Sequence, residues 1–137
     1  MLEAKHGKEI VLSVKNEIGL LFELSKLLSE KGIGILAVNG TVCGEECVIR
    51  LVTDDNLRAR DALADKGYPA REEDVILVEV LHKPGMLKRI TEVMAAEEID
   101  VHHAYATASE DQKKCLLVLH TANDEHVLPR LHQLVAV

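Results

Sequence analysis

The chain has 137 residues, of which 47% are hydrophobic and 28% are charged, and its formal net charge is -7. This balance is typical of a soluble globular protein with one domain or two very small ones. The acidic surface repels phosphate backbones and anionic lipids, so we expect neither a nucleic-acid partner nor a membrane partner. Three cysteines make no disulfide framework and the first ten residues lack the apolar core of a secretory signal, so we expect a cytoplasmic protein.

The first half of the chain predicts six elements in order. Strands are predicted from β-branched and leucine-rich segments between turn signals, and helices from apolar positions that fall on one side. These segments are a strand over 9–15, a helix over 20–28, strands over 34–42 and 47–53, a helix over 53–67 and a short strand near 68–71.

The second half repeats the first at a distance of 66 residues, which places Gly19 on Gly85. Its predicted elements are a strand over 75–81, a helix over 86–94, strands over 100–108 and 115–121, and a helix over 121–134. Pro129 predicts that the last helix starts late or bends, because proline removes an interior hydrogen bond. Almost no chain remains for a last strand.

The repeated order predicts an α+β fold: two tandem ferredoxin-like βαββαβ units with antiparallel sheets, over residues 1–71 and 72–137. The first strands are apolar on both faces, with Glu79 the one polar residue in 75–81. We therefore expect another sheet, from the same chain or a second one, to cover the face without helices. A unit of about 65 residues is marginally stable alone, which also favours tight pairing.

Two segments resemble the ACT domain, an amino-acid-sensing module of many enzymes of amino-acid metabolism. "HKPGML" (82–87) is similar to the family's loop between the first strand and the first helix, and "EEIDVHHAYA" (97–106) is similar to the start of its second strand. The resemblance covers residues 9–137. It implies a non-enzymatic, allosteric regulatory module that binds an amino acid or similar small metabolite at an interface between ACT-like domains, with no cofactor.

The resemblance also implies the site residues: Asn16, Gly19, Leu20, His82, Gly85 and Met86 in the loops, with Asp100 and Val101 on the second strand. A glycine lets a ligand approach the backbone, and the helix start offers free amides and a positive dipole to a carboxylate. Asp100 can accept hydrogen bonds from an amine. Because Ile18 replaces the family's proline, Gly34 stands where the second copy has Asp100, and His82 replaces Asp or Asn, we expect at most one good site.

The expected partners are the amino acid, a second copy of the chain in a homodimer, and a metabolic enzyme or regulator. The alternative function is a protein-interaction or oligomerisation module that has lost ligand binding, which Ile18 and Gly34 favour in the first copy. No Ser/His/Asp or Cys/His arrangement stands out, so we expect no catalytic residue. Whether the ligand site lies within one chain or between two stays open.

Cysteines and histidines give no metal-binding pattern. Cys43 and Cys47 flank a short hairpin turn, but their spacing is not that of common zinc sites. His102 and His103 are adjacent, which predicts opposite faces of a strand. His126 and His132 are six residues apart, outside the spacing of helical zinc pairs. We therefore expect no metal site.

Overall fold

The computed structural model describes residues 3–109 and 113–135. They form six strands and four helices: β1 (Glu3–Lys15), α1 (Leu20–Glu30), β2 (Ile35–Cys43), β3 (Glu46–Thr53), α2 (Asn56–Asp65), β4 (Arg71–Leu81), α3 (Met86–Ala96), β5 (Val101–Ser109), β6 (Lys114–Thr121) and α4 (Asp124–Val135). The predicted α+β, ferredoxin-like fold with antiparallel strand pairing is confirmed.

Two compact units divide the chain. The first unit is Lys8–Glu73, and the second unit combines residues 3–7 with the described residues from Asp74 onwards. The sequence placed the boundary at residues 71 and 72 and assigned residues 1–71 to the first domain. In the structure β1 and β4 are longer than the predicted strands, and each of them contributes residues to both units.

The N-terminal residues supply the strand that the second unit lacks at its own end. In the second unit β4 lies between β6 and the first residues of β1. Ala4 is buried in the core that includes Ile76 and Val78. From α4, Nε2 of His132 donates a hydrogen bond to the carbonyl oxygen of Ala4 over 2.7 Å. The βαββαβ order of this unit is therefore completed by chain that precedes the first unit.

Gly7 is needed for this close approach. A Cβ atom on Gly7 would lie 2.7 Å from Cγ of Leu77, well inside van der Waals contact. Glycine removes that atom and lets the backbone of β1 pass the Leu77 side chain.

In each unit one face of the sheet packs under the two helices. The first unit has the strand order β2-β3-β1, and the second unit has the order β5-β6-β4. Register sets the faces, since Ile10 lies opposite Leu51 in the first unit and Ile76 lies opposite Leu119 in the second. The buried helix residues that cover these faces are Leu24, Leu27, Leu28, Ala59 and Leu63 in the first unit, and Met86, Ile90, Met94, Val127, Leu128 and Leu131 in the second.

The last helix does not start late. It begins at Asp124, five residues before Pro129, because its start is well capped. The carboxylate of Asp124 accepts hydrogen bonds from the backbone and the hydroxyl of Thr121 at 2.8 and 2.7 Å, and the Asn123 side chain accepts one from the backbone of His126 at 3.2 Å. Pro129 lies on the exposed side, where a lost helix hydrogen bond can be replaced by water.

A charged network fastens the end of the first unit to its sheet. Arg50 lies opposite Val11, on the face away from the helices. Its guanidinium is 3.0 Å from Oε2 of Glu9, whose side chain is 0% exposed, and 3.1 Å from Oε2 of Glu73. Glu73 also accepts hydrogen bonds from Arg71. The network therefore joins β1, β3 and the first residues of β4, 71–73.

Glu73 should make the first unit less stable in acid. Burial raises the pKa of Glu73, but hydrogen bonds from Arg50 and Arg71 outweigh it, and the pKa lies below the ordinary value of 4.5. The stabilisation is therefore present above the unfolded-state pKa and is lost as the pH falls through the folded one. We expect Glu73→Gln to be less stable than the parent at pH 7 and to lose less stability on acidification, measured by urea unfolding across pH 3–7. An unchanged slope of stability against pH would contradict this, and Glu92→Gln, in an exposed pair, is the control.

Candidate functional site

Two equivalent loops follow the first strand of each unit. The backbone N–H of Asn16 donates to the carbonyl of Glu45 over 2.8 Å, and that of His82 donates to Lys113 over 2.7 Å. Each loop is thereby tied to the hairpin between the next two strands of its unit. The loops thus have the same anchoring in both copies.

A glycine in the left-handed conformation begins the first helix of each unit. Gly19 has φ 85° and Gly85 has φ 91°, values that disfavour side chains. Nothing lies within 4 Å of the position that a Cβ would occupy on either glycine. The carbonyl oxygen of Gly19 accepts a hydrogen bond from the backbone N–H of Glu23 at 3.0 Å, and that of Gly85 accepts one from the backbone N–H of Arg89 at 3.1 Å. These are the first hydrogen bonds of the two helices.

The backbone amides that follow these glycines are available to an anion. The N-cap residues Gly19 and Gly85 have no side chain that could cap α1 or α3. In α1 the amides of Leu21 and Phe22 precede the first helical donor, and in α3 those of Leu87 and Lys88 do so. Together with the helix dipole, such amides favour a carboxylate.

The first loop opens onto a cleft of about 310 Å³ between the start of α1 and the sheet. Its lining is mostly apolar: Asn16, Glu17, Gly19, Leu20, Leu21, Phe22, Gly40, Val42, Cys47 and Ile49. Phe22 and Val42 are 59% and 55% exposed, so the cleft has an apolar rim. This is a suitable place for an apolar side chain next to free amides.

The second loop opens onto a matching cleft of about 180 Å³. Its lining consists of Val80, Leu81, His82, Lys83, Met86, Leu87, Ile90, Ala106, Cys115 and Leu117. Seven of these positions correspond to lining positions of the first cleft, including Met86 with Leu20 and Ala106 with Gly40. Met86 is longer than Leu20, and Ala106 carries a methyl group that Gly40 lacks.

The clefts differ in charge. Glu17 lies at the first cleft and Lys83 lies at the corresponding position of the second. Burial raises the pKa of the Cys115 thiol, which keeps it protonated near neutral pH. The arrangement is suited to binding.

The structure brings the predicted loop residues to these clefts and leaves the two predicted strand residues elsewhere. Asn16, Gly19 and Leu20 line the first cleft, and His82 and Met86 line the second, next to Gly85. Asp100 and Val101 lie at the start of β5, outside both linings.

Within one unit the second loop and Asp100 lie at opposite ends of the sheet. Leu81 pairs with Lys114, and Lys114 pairs with Ser109 at the far end of β5. Val101 is eight residues earlier, or about 26 Å away along the strand. The Asp100 side chain is 83% exposed, and its carboxylate is 3.9 Å from Nε2 of His102. A site that uses both groups therefore needs a neighbouring domain.

The cysteines of the first hairpin do not face each other. Cys47 lies opposite Val42, whereas Cys43 lies opposite Glu46, so their side chains point to opposite faces. Cys47 is buried in the core of the first unit, and Cys43 is exposed.

The prediction for the adjacent histidines was wrong in part. A register shift between Val101 and His103 interrupts the alternation of β5. The rings of His102 and His103 consequently both lie near His120, with centroid distances of 5.5 and 5.4 Å. Among residues 3–109 and 113–135, no group of three or more side chains is arranged to hold a metal ion. In the same part of the chain, no helix has the length and apolar character needed to cross a membrane.

Comparison with known proteins agrees with this architecture. Residues 75–136 match the family model of the ACT domain. No curated protein sequence matches the chain. Similar solved structures include protein BT0572 from Bacteroides thetaiotaomicron, with 21% identity, a TM-score of 0.84 and coverage of 95% of this chain and 89% of that one.

The regulatory subunits of aspartate kinase from two Thermus species are also similar. The ligand-free Thermus thermophilus subunit has 14% identity, a TM-score of 0.66 and coverage of 95% of both chains. The Thermus flavus subunit has 18% identity, a TM-score of 0.59 and coverage of 97% of this chain and 94% of that one. At these identities the likeness shows a shared fold. The family-model match confirms the resemblance to the ACT domain over residues 75–136.

Proposed function

We propose that this chain, whose residues 75–136 belong to the ACT domain family, is a non-enzymatic regulatory module that binds an amino acid or a similar small metabolite. The observation that carries the proposal is the repeated cleft, which places free amides beside an apolar lining in both units. An α-amino acid offers the matching groups, a carboxylate and a side chain, attached to the same carbon atom.

The carboxylate of the ligand binds the amides that follow Gly19 or Gly85. Its side chain lies in the cleft, and its amine is bound by Asp100 and by backbone carbonyls at the start of a second strand. Val101 lies beside the amine of the ligand, and Asn16 or His82 borders the ligand on the side of the loop. Because Val101, next to Asp100, lies about 26 Å along the strand from the loop of its own unit, these groups come from different domains.

A homodimer supplies the missing half of the site. β2 and β5 are the outer strands of their units in the strand orders. Val38, Val42 and Val101 are exposed along them, which marks an association surface. When two identical outer strands pair about a two-fold axis, they run antiparallel. The start of the strand in one copy then lies beside the end of the same strand in the other copy, where the loop is. No metal or cofactor has a role in this arrangement.

Ligand binding regulates by favouring one arrangement of the two copies. A ligand held by two copies binds the paired arrangement better than any other, and it shifts the population by that difference in affinity. A metabolic enzyme or regulator that contacts the paired form senses the change. The similar Thermus proteins, which are regulatory subunits of aspartate kinase, support a partner of this kind.

A protein-interaction role is the second candidate for the first unit. Ile18 is fully exposed, and Leu21 and Phe22 beside it are 48% and 59% exposed. Such a group of apolar side chains at the rim of a cleft can contact another protein without any small ligand.

A thermal-shift screen with each of the twenty L-amino acids distinguishes these functions. We expect at least one to raise the melting temperature in a saturable manner, since binding to the folded state alone stabilises it by about 2.7 kcal/mol at 100 times the Kd. The control is the same amino acid with its carboxylate amidated, which should give no shift. An unchanged melting temperature with all twenty amino acids would favour the protein-interaction role.

A further inference from the structure

The start of the second strand has the same backbone arrangement in both units. In the second unit the N–H of Ala122 donates to the carbonyl of Asp100 over 2.9 Å. In the first unit the N–H of Asp54 donates to the carbonyl of Gly34 over 3.0 Å. Gly34 corresponds to Asp100, and Asp54 corresponds to Ala122 with the two-residue shift that the third strands share. Because the two backbones are equivalent here, the side chains at the corresponding positions can be compared directly.

The carboxylate lies on opposite members of these two pairs. The second unit carries it on the strand, as Asp100, and has the small Ala122 in the facing turn. The first unit has no side chain on the strand, at Gly34, and carries the carboxylate in the turn, as Asp54. One acidic group is thus present in each pair.

The Asp54 carboxylate occupies the space that a residue 34 side chain would need. Its Oδ1 accepts a hydrogen bond from the backbone N–H of Gly34 over 3.1 Å. Its Oδ2 lies 2.9 Å from the position of a Cβ on Gly34, and its Cγ lies 3.6 Å from that position. An aspartate at position 34 would place its own carboxylate in the same region. Gly34 is therefore the residue that makes room for Asp54.

We propose that Asp54 is the amine-binding residue of the first unit, equivalent to Asp100 in the second, so that each chain carries two binding positions. This inference rests on the proposed function. Oδ1 fixes the carboxylate to the backbone, and Oδ2 has no hydrogen bond to any residue in the described part of the chain. A carboxylate held in place loses less conformational freedom on binding than the exposed Asp100 side chain does.

An exchange of the pair tests the placement without any ligand. Gly34→Asp alone puts two carboxylates in one space, and we expect its melting temperature to fall by about 4 °C. Asp54→Ala alone leaves the Gly34 amide without its acceptor and should also lower the melting temperature. The double variant Gly34→Asp/Asp54→Ala recreates the second unit's arrangement, so it should be more stable than either single variant. A double variant whose loss equals the sum of the two would overturn the placement.

The functional role is tested by binding stoichiometry with each of the twenty L-amino acids, measured by titration calorimetry. We expect the parent to bind two equivalents per chain. Asp54→Ala and Asp100→Ala should each weaken one of them by about 10- to 100-fold, and together they should weaken both. If the parent binds two equivalents and Asp54→Ala binds both as tightly, only the role of Asp54 is wrong. If the parent binds one equivalent that depends on Asp100 alone, the role is also wrong. If the parent binds none, the proposed function and the role of Asp54 fail together.

Discussion

Replacing Arg50 by alanine should lower the free energy of unfolding of the first unit by about 3 kcal/mol. Arg50 holds Glu9, which is 0% exposed, at 3.0 Å and Glu73 at 3.1 Å. Without the guanidinium, Glu9 loses this ion pair in a buried position and Glu73 keeps the one with Arg71, and breaking a buried pair costs about 3–5 kcal/mol. The lower end of that range applies because Arg50 is 24% exposed and water can reach part of the network. Urea denaturation at pH 7 measures the change.

A matched variant separates this effect from the loss of any surface charge. Lys88 forms an ion pair with Glu92 at 3.4 Å, and both side chains are highly exposed. Lys88→Ala should therefore cost less than about 0.5 kcal/mol. Adding Glu9→Met to Arg50→Met should recover much of the stability, since the buried charge is then absent. An Arg50→Ala chain as stable as Lys88→Ala would show that the network contributes little.

Placing a methyl group on Gly85 or Gly19 should weaken amino-acid binding by tenfold or more. The space around both Cβ positions is empty within 4 Å, and it lies directly beside the free amides. In our account the ligand carboxylate fills that space, so Gly85→Ala and Gly19→Ala exclude it. Titration calorimetry with the amino acid that gives the largest thermal shift measures the loss.

Gly67 provides the control for backbone strain. Its φ is 82°, close to 85° at Gly19, and nothing lies within 4 Å of its Cβ position either. It follows the end of α2, away from both clefts. Gly67→Ala should therefore carry the same conformational cost, about 1–2 kcal/mol, and leave binding unchanged. If all three variants bind as the parent does, the ligand carboxylate is not at the helix starts.

The repeated part of the fold could be predicted because hydrophobic periodicity is a local signal. Leu24 and Ile90, one repeat apart, are both buried in the helix-covered cores, as their shared position in the pattern indicated. Gly19 and Gly85, which both have positive φ, stand in the sequence just before each apolar helix segment. These features depend on residues that are close in sequence.

The rest depends on residues far apart in sequence. Residues 3–8 are mostly polar and carry no strand pattern, yet Ala4 completes the second unit's core, a contact that involves His132 at the other end of the chain. The register shift after Val101 follows from pairing with β6. The contact between Asp54 and Gly34 also depends on the fold, since these residues are twenty positions apart and their distance follows from the pairing of β2 with β3.

The most direct test of amino-acid binding at the helix starts is a backbone amide NMR titration of the chain with each of the twenty L-amino acids. We expect at least one amino acid to cause saturable shifts in the amides of Leu21, Phe22, Leu87 and Lys88, which follow the two glycines. Amides that line neither cleft, such as those of α2 after Leu57, should stay unchanged. No saturable shift with any amino acid, or shifts confined to residues away from both loops, would contradict the account.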